Sequence, residues 1–197
     1  MKLWTIQPIE FYDELIINGK IRCSKKNIDY HFKESYSWMI VQMENKIGKR
    51  YNKKTYPIWS WCQFKNSEYK RPDLRTSGFL PKGTKGVRIE FEKPETEILL
   101  SDFDLWHYVL NYWHIADDKK QELEFDKLLK ASSLKFTDKE KYSSKLKNIL
   151  ESSWNKIFDM DYDSVYVADE FKRKKIQATF WTLKSTEIIK VDFFNAK

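Results

Sequence analysis

Residues 86–94, GVRIEFEKP, alternate strictly between apolar and charged side chains. In an extended chain successive side chains point to opposite faces, so Val87, Ile89 and Phe91 face a core while Arg88, Glu90 and Glu92 face outward. This pattern demands a sheet with a buried face. The same period returns in YPIWSWCQF (56–64), with Trp59 and Trp61 on one face and Ile58, Ser60 and Cys62 on the other. KLWTI (2–6) is a short β-prone run ended by Pro8, and EILL (97–100) is a short apolar strand. IQATFWTL and EIIKVDFF, joined by KST, read as a β-hairpin over 176–194.

Between these runs the period changes. In IEFYDELIIN, Ile9, Tyr12 and Ile16 recur at helical spacing, Gly19 is the C-cap, and KIRCS follows as a second strand. Residues 33–48 form an amphipathic helix with Tyr36, Met39, Ile40, Met43 and Ile47 along one stripe. Residues 65–85, with Pro72, Gly78, Pro81 and Gly83, are a loop. Ser101 is the expected N-cap of a helix from Asp102 to about Trp113, with Asp102 and Asp104 in its first turn. Residues 117–160 read as helices with charged surfaces, and TDKE (137–140) is a capping-box pattern. The expectation is one α+β domain over 1–197. It has a small mixed or antiparallel sheet, a helical segment at about 102–160, and within it a helical insertion at about 117–160.

Composition enters at the surface. A formal charge of +7 favours polyanionic partners, nucleic acid first, although Lys-rich usage also follows from genomic base bias. Aromatic residues reach 16% with eight Trp, which brace a core or offer flat faces to a ring-shaped ligand. Four segments interleave bases and aromatics: KKNID (25–29), NKIGKRYNKK (45–54), FKNSEYKRPDLR (64–75) and FKRKK (171–175). They either track phosphates or are solvated loops. Two cysteines without a C-x-x-C point to a reducing, cytoplasmic setting and away from structural zinc. The opening residues lack the apolar core of a signal peptide, and no apolar run approaches the roughly 18 residues of a membrane span.

The densest chemistry lies in ILLSDFDLWHYVLNYWH (98–114). Asp104, His107 and Asn111 share one helical face, where Asp104 is placed to orient or charge His107. The alternative is a helix cap and a hydrogen-bonded histidine beside core Trp106. His107 and His114 lie about 10.5 Å apart along a helix, too far for one metal, and no metal is expected. Trp59 and Trp61 either stack a ring or pack the core. Walker, dinucleotide-binding and nucleophile-elbow motifs are absent, and with five glycines a phosphate-cradling loop has no home. DMDYD (159–163) lacks the glycine and terminal glutamate of a calcium loop.

The runs LWTIQP, SYSWM, YPIWSW, RPD, LLSDFDLWHYVLN and IQATFW together resemble a bacterial family of uncharacterised proteins, domain of unknown function 3841, nearly end to end. A second, more distant resemblance is to ADP-ribosyltransferase-like proteins, notably DNA-modifying toxins and RNA 2′-phosphotransferases. They share a strand–helix–glycine–strand opening, similar to LWTI…FYDELIINGKIRCS, and a closing hairpin that starts on a Q-x-E-like element. Gln177 matches the first position of that element, but Thr179 stands where the catalytic glutamate would be. The Arg or His usual on the first strand is also missing, with Thr5 and Gln7 in that area.

This second resemblance implies a split-barrel sheet and NAD or a nucleotide as ligand. Thr5 and Gln7 would contact the ribose or nicotinamide amide, and Tyr36, Trp59 or Trp61 would stack the ring. Asp104, His107 and Gln177 would assist transfer to a nucleic-acid acceptor on the basic surface, in a toxin or phage-defence role. A threonine cannot act as a base, so another acid would have to supply the carboxylate. The rival expectation is a non-catalytic protein that reads RNA or DNA by stacking and charge. A third is a partner protein whose exposed aromatics form a protein interface.

Overall fold

A computed structural model of the chain describes residues 1–25 and 30–197. Its elements run β1 (Lys2–Pro8), α1 (Ile9–Asn18), β2 (Lys20–Ile21), α2 (Lys33–Lys46), β3 (Ile58–Gln63), β4 (Lys85–Glu92), β5 (Leu99–Asp102), α3 (Phe103–Leu110), α4 (Lys119–Ala131), α5 (Ser144–Ser153), β6 (Ile176–Phe180), β7 (Leu183–Lys184) and β8 (Ile188–Asn195). The chain divides into two units, residues 1–100 with 176–197, and residues 101–175. The second takes in α3 as well as the charged helices beyond 117.

The first unit is built on an antiparallel sheet with strand order β5-β6-β3-β1-β4-β8, open at both edges rather than closed as a split barrel. β1 lies near its centre, antiparallel to β3 and to β4. The register sets Leu3 opposite Phe91 and Thr5 opposite Ile89, so the apolar positions of β1 and β4 share one face. Ile58, Ala178 and Phe180 join them, and Leu15 of α1 is buried in the same core. α1 stops at Gly19, whose φ of 70° is left-handed and admits glycine without strain.

The expected closing hairpin does not form. β6 pairs with β3, whereas β8 pairs with β4 three strands away. The chain crosses by way of β7, which joins β2 in a separate two-stranded sheet. A spacer of turn-like residues between two β-rich runs is locally indistinguishable from a hairpin loop, and here the better partners lay elsewhere.

The outward face of the sheet also departs from expectation. Two rows cross it: Gln177, Trp61, Trp4, Glu90 and Lys190, and Thr179, Trp59, Arg88 and Asp192. Arg88 is only 7% exposed, because a loop after β3 covers it. Burial of both faces is why Trp59 and Trp61 are half-buried rather than free.

In the second unit Asp102, not Ser101, caps α3, its carboxylate accepting from the amides of Asp104 and Leu105 at 2.9 and 3.1 Å. Ser101 is the penultimate residue of β5, so the cap moves one residue along. The other carboxylate oxygen takes the Lys174 ammonium at 2.9 Å, with both side chains buried. The TDKE stretch forms no capping box. Asp138 instead accepts from the Lys135 amide, and α5 begins later, capped by Ser143. Trp154, fully buried, donates to the Trp113 carbonyl at 2.7 Å.

Replacing Asp102 by Ala removes the cap and takes the carboxylate away from a buried ammonium. Breaking such a pair costs about 3–5 kcal/mol. Urea unfolding of Asp102→Ala should show that loss, and Asp102→Asn, which keeps an oxygen for the amides, should lose less.

Candidate functional site

The loop that covers the outward face has local reasons for its shape. The Phe64 amide donates to the Lys70 carbonyl at 2.9 Å, and the Lys65 amide to that of Tyr69 at 3.2 Å. The Asn66 side-chain oxygen accepts from the amides of Glu68 and Tyr69, which turns the chain. Phe64 packs edge-on against Trp61 at 5.0 Å and also meets Phe79 at 5.3 Å, anchoring the loop on the sheet. Arg88 completes the attachment: its guanidinium donates to the Pro72 carbonyl and to the Asp192 carboxylate, the latter at 2.6 Å.

The result is a cavity of about 520 Å³ whose walls include Tyr69, Lys70, Arg71, Arg75 and Arg88. Four cationic side chains line it against two carboxylates, Glu68 and Asp73. Asp73 is engaged by Arg75 at 2.7 Å, which holds its carboxyl well below the usual range. Asp192 is likewise lowered, chiefly by its hydrogen bonds from Arg88. For Glu90, burial pushes the carboxyl up, but the Trp4 indole N–H at 2.9 Å, Lys2 and nearby Arg71 together bring it below its ordinary value. With these acids ionised and two of them ion-paired to arginine, Lys70 and Arg71 give the cleft its positive character. A concave wall of cations beside a tyrosine suits a ligand with phosphates and a flat ring.

The residues singled out from the sequence fall in several places. Thr5 is fully buried on the core face, donating to the Trp59 carbonyl at 2.9 Å and accepting from Gln7 at 2.9 Å. Trp59, Trp61 and Gln177 lie on the opposite face, where Tyr36 of α2 meets the Trp59 ring edge-on at 6.1 Å. The sheet therefore separates Thr5 and Gln7 from Tyr36, Trp59, Trp61 and Gln177. The Gln177 side-chain oxygen is buried without a hydrogen-bond partner among the described residues. Thr179 is buried, its hydroxyl directed to the Leu99 carbonyl at 3.3 Å.

Asp104 and His107 belong to the second unit. They share α3 but not a hydrogen bond. Asp104 binds Lys175 at 2.9 and 3.2 Å, and His107 Nδ1 sits 2.8 Å from the Phe103 carbonyl four residues back. Asn111 donates to the His107 carbonyl rather than to its ring. Burial raises both thiols, Cys23 to about 11, so neither is poised as a thiolate. Among the described residues no group of three or more His, Cys, Asp or Glu is gathered as metal ligands would be. The basic segment KKNID lies, beyond its first residue, outside the described residues.

Sequence reasoning missed Arg88, which strict alternation placed in solvent. The only sequence signal of its role is an acid on the other β-rich run, Asp192, and that signal needs the strand pairing before it can be read.

The architecture is an open antiparallel α+β sheet with a basic cleft laid over one face. The chain belongs to the family described as domain of unknown function 3841, whose model matches residues 2–189. No curated protein and no solved structure matches it.

Removing the Arg88 guanidinium should release the loop. Hydrogen bonds to a charged group contribute about 1.5–3 kcal/mol each, so hydrogen exchange at the Phe64 and Lys65 amides should accelerate about tenfold or more in Arg88→Ala. The folded-state carboxyl of Asp192 lies below its ordinary value of 3.8. Its contribution is therefore complete above that value and is lost as pH falls through the lowered one. The same amides should lose protection on acidification below about pH 3.8, and Asp192→Asn should lack most of that acid dependence.

Proposed function

We propose that the protein binds single-stranded nucleic acid through the cleft over the outward face of its sheet. The observation that carries this reading is the cavity walled by Tyr69, Lys70, Arg71, Arg75 and Arg88. Lys70 and Arg71 neutralise backbone phosphates, and Tyr69, 63% exposed, offers its ring to a base. The formal charge of +7 draws a polyanion to the surface at long range. Arg88 and Arg75 are committed to carboxylates, so they shape the cleft and contribute less to its affinity.

The binding reading asks little of the rest of the molecule. An NAD-dependent transferase would need Thr5 and Gln7 to share a cleft with Tyr36 and Gln177, and the sheet stands between those pairs. Among the described residues no helix is long and apolar enough to cross a membrane. Free Cys23 and Cys62, together with a nucleic-acid ligand, agree with a cytoplasmic setting.

Fluorescence anisotropy with labelled short RNA and DNA oligonucleotides tests the reading. Affinity should fall steeply between about 50 and 200 mM salt. The double variant Lys70→Ala, Arg71→Ala should flatten the log–log salt slope by about 1.4, two contacts at about 0.7 each. Tyr69→Ala should weaken binding about fivefold or more at constant slope. A slope that the double variant leaves unchanged would place binding elsewhere and overturn the reading.

A further inference from the structure

The second unit contains a separate cavity, of about 450 Å³, within the size range of small-molecule pockets. It forms where α3 ends. Tyr112 adopts a left-handed φ of 62°, uncommon for a bulky residue, and reverses the chain so that Trp113 and His114 face back over α4. The His114 ring stacks on Phe125 of α4 at 4.6 Å and 9° between planes. Trp113 meets Tyr108 edge-on at 5.8 Å. Trp113 and Phe136, 45% and 62% exposed, leave much of their apolar surface open to solvent. Such aromatic exposure around a cavity marks a place where a flat apolar ligand gains contact.

The polar groups narrow the ligand. His114 Nδ1 is buried without a hydrogen-bond partner among the described residues. Burial, with Lys156 nearby, favours the neutral ring. Glu122 is already satisfied by Lys119 and the Tyr166 hydroxyl. Asp126, exposed at the rim, also lines the cavity and has no hydrogen bond or ion pair among the described residues. An organic cation is disfavoured, because the Lys139 ammonium already sits 5.3 Å from the Tyr112 ring centroid. The carboxylate at the rim offers acceptors, which favours N–H donors on a flat, uncharged frame.

We propose that this cavity binds a neutral planar nitrogen heterocycle of the nucleobase kind, its face against Trp113 and Phe136 and its ring N–H groups donated to Asp126. Guanine presents two adjacent N–H donors on its Watson–Crick edge, a match for one carboxylate that adenine lacks. Guanosine therefore ranks above adenosine. The site is independent of the basic cleft, since a nucleoside carries no phosphate to engage Lys70 and Arg71.

Isothermal titration calorimetry of the full chain with guanosine, adenosine and choline decides the matter. Guanosine should bind more tightly than adenosine, with choline giving no heat. Trp113→Ala should weaken guanosine about tenfold through lost stacking. Asp126→Asn should bring guanosine down to the affinity of adenosine. If Trp113→Ala fails to give a native circular-dichroism spectrum, Phe136→Ala, at a more exposed ring, carries the same expectation. No heat with either nucleoside, a preference for choline, or folded variants that bind like the parent would overturn the proposal.

Discussion

One carboxylate organises the second unit. Asp102 lies near the start of the segment 101–175 and Lys174 near its end, and the two meet at 2.9 Å in a setting where neither side chain sees water. A buried ion pair is stable only when its remaining hydrogen-bonding capacity is filled. Here it is. One oxygen of Asp102 takes two α3 amides, and Lys174 also donates to the Tyr162 carbonyl at 2.7 Å. The neighbouring residues repeat the junction: the Phe103 amide donates to the Lys175 carbonyl, and Lys175 binds Asp104. The acid-rich start of α3 therefore has both carboxylates in ion pairs with the far end of the segment. Its charges are spent on closing the segment.

The first unit solves a different problem, a sheet with two buried faces and charged residues on one of them. The core face is closed mainly by apolar side chains, with the buried hydroxyls of Thr5 and Ser60 donating to strand carbonyls. The other face holds Glu90 and Arg88, and each finds partners across neighbouring strands or in the covering loop. Satisfying those groups requires the loop to come down over the sheet. The loop in turn leaves a concave surface lined by the basic side chains that the interior has no use for. The cleft follows from how a charged sheet face is buried.

What the sequence disclosed and what it hid divide along local and non-local physics. The strict alternation of 86–94, the helical stripe of 33–48 and the Gly19 cap are local properties, and the corresponding β4, α2 and α1 end lie where they predict. Strand partnership is non-local, so EIIKVDFF gave a correct strand and a wrong neighbour. Alternation reports two faces but not whether the second is covered, which is why Arg88 was read as solvated. The helical spacing of Asp104 and His107 placed both on α3 correctly. It carried no information about Lys175, a residue 71 positions away from Asp104, which captures the acid. The basic run 64–75 was legible as charge and aromatic content, while its concave form depends on Arg88 and Asp192.

The dependence of the cleft on Asp192 also sets an order of events. Synthesis delivers β1, β3, the covering loop and Arg88 early, whereas Asp192 arrives with β8, the last strand in the chain. Until then the guanidinium has only the Pro72 carbonyl to hold, and β4 is an unpaired edge. A nascent chain would thus carry the basic loop without its final shape. The contour of the cleft is settled by a strand pairing made about a hundred residues after the loop itself.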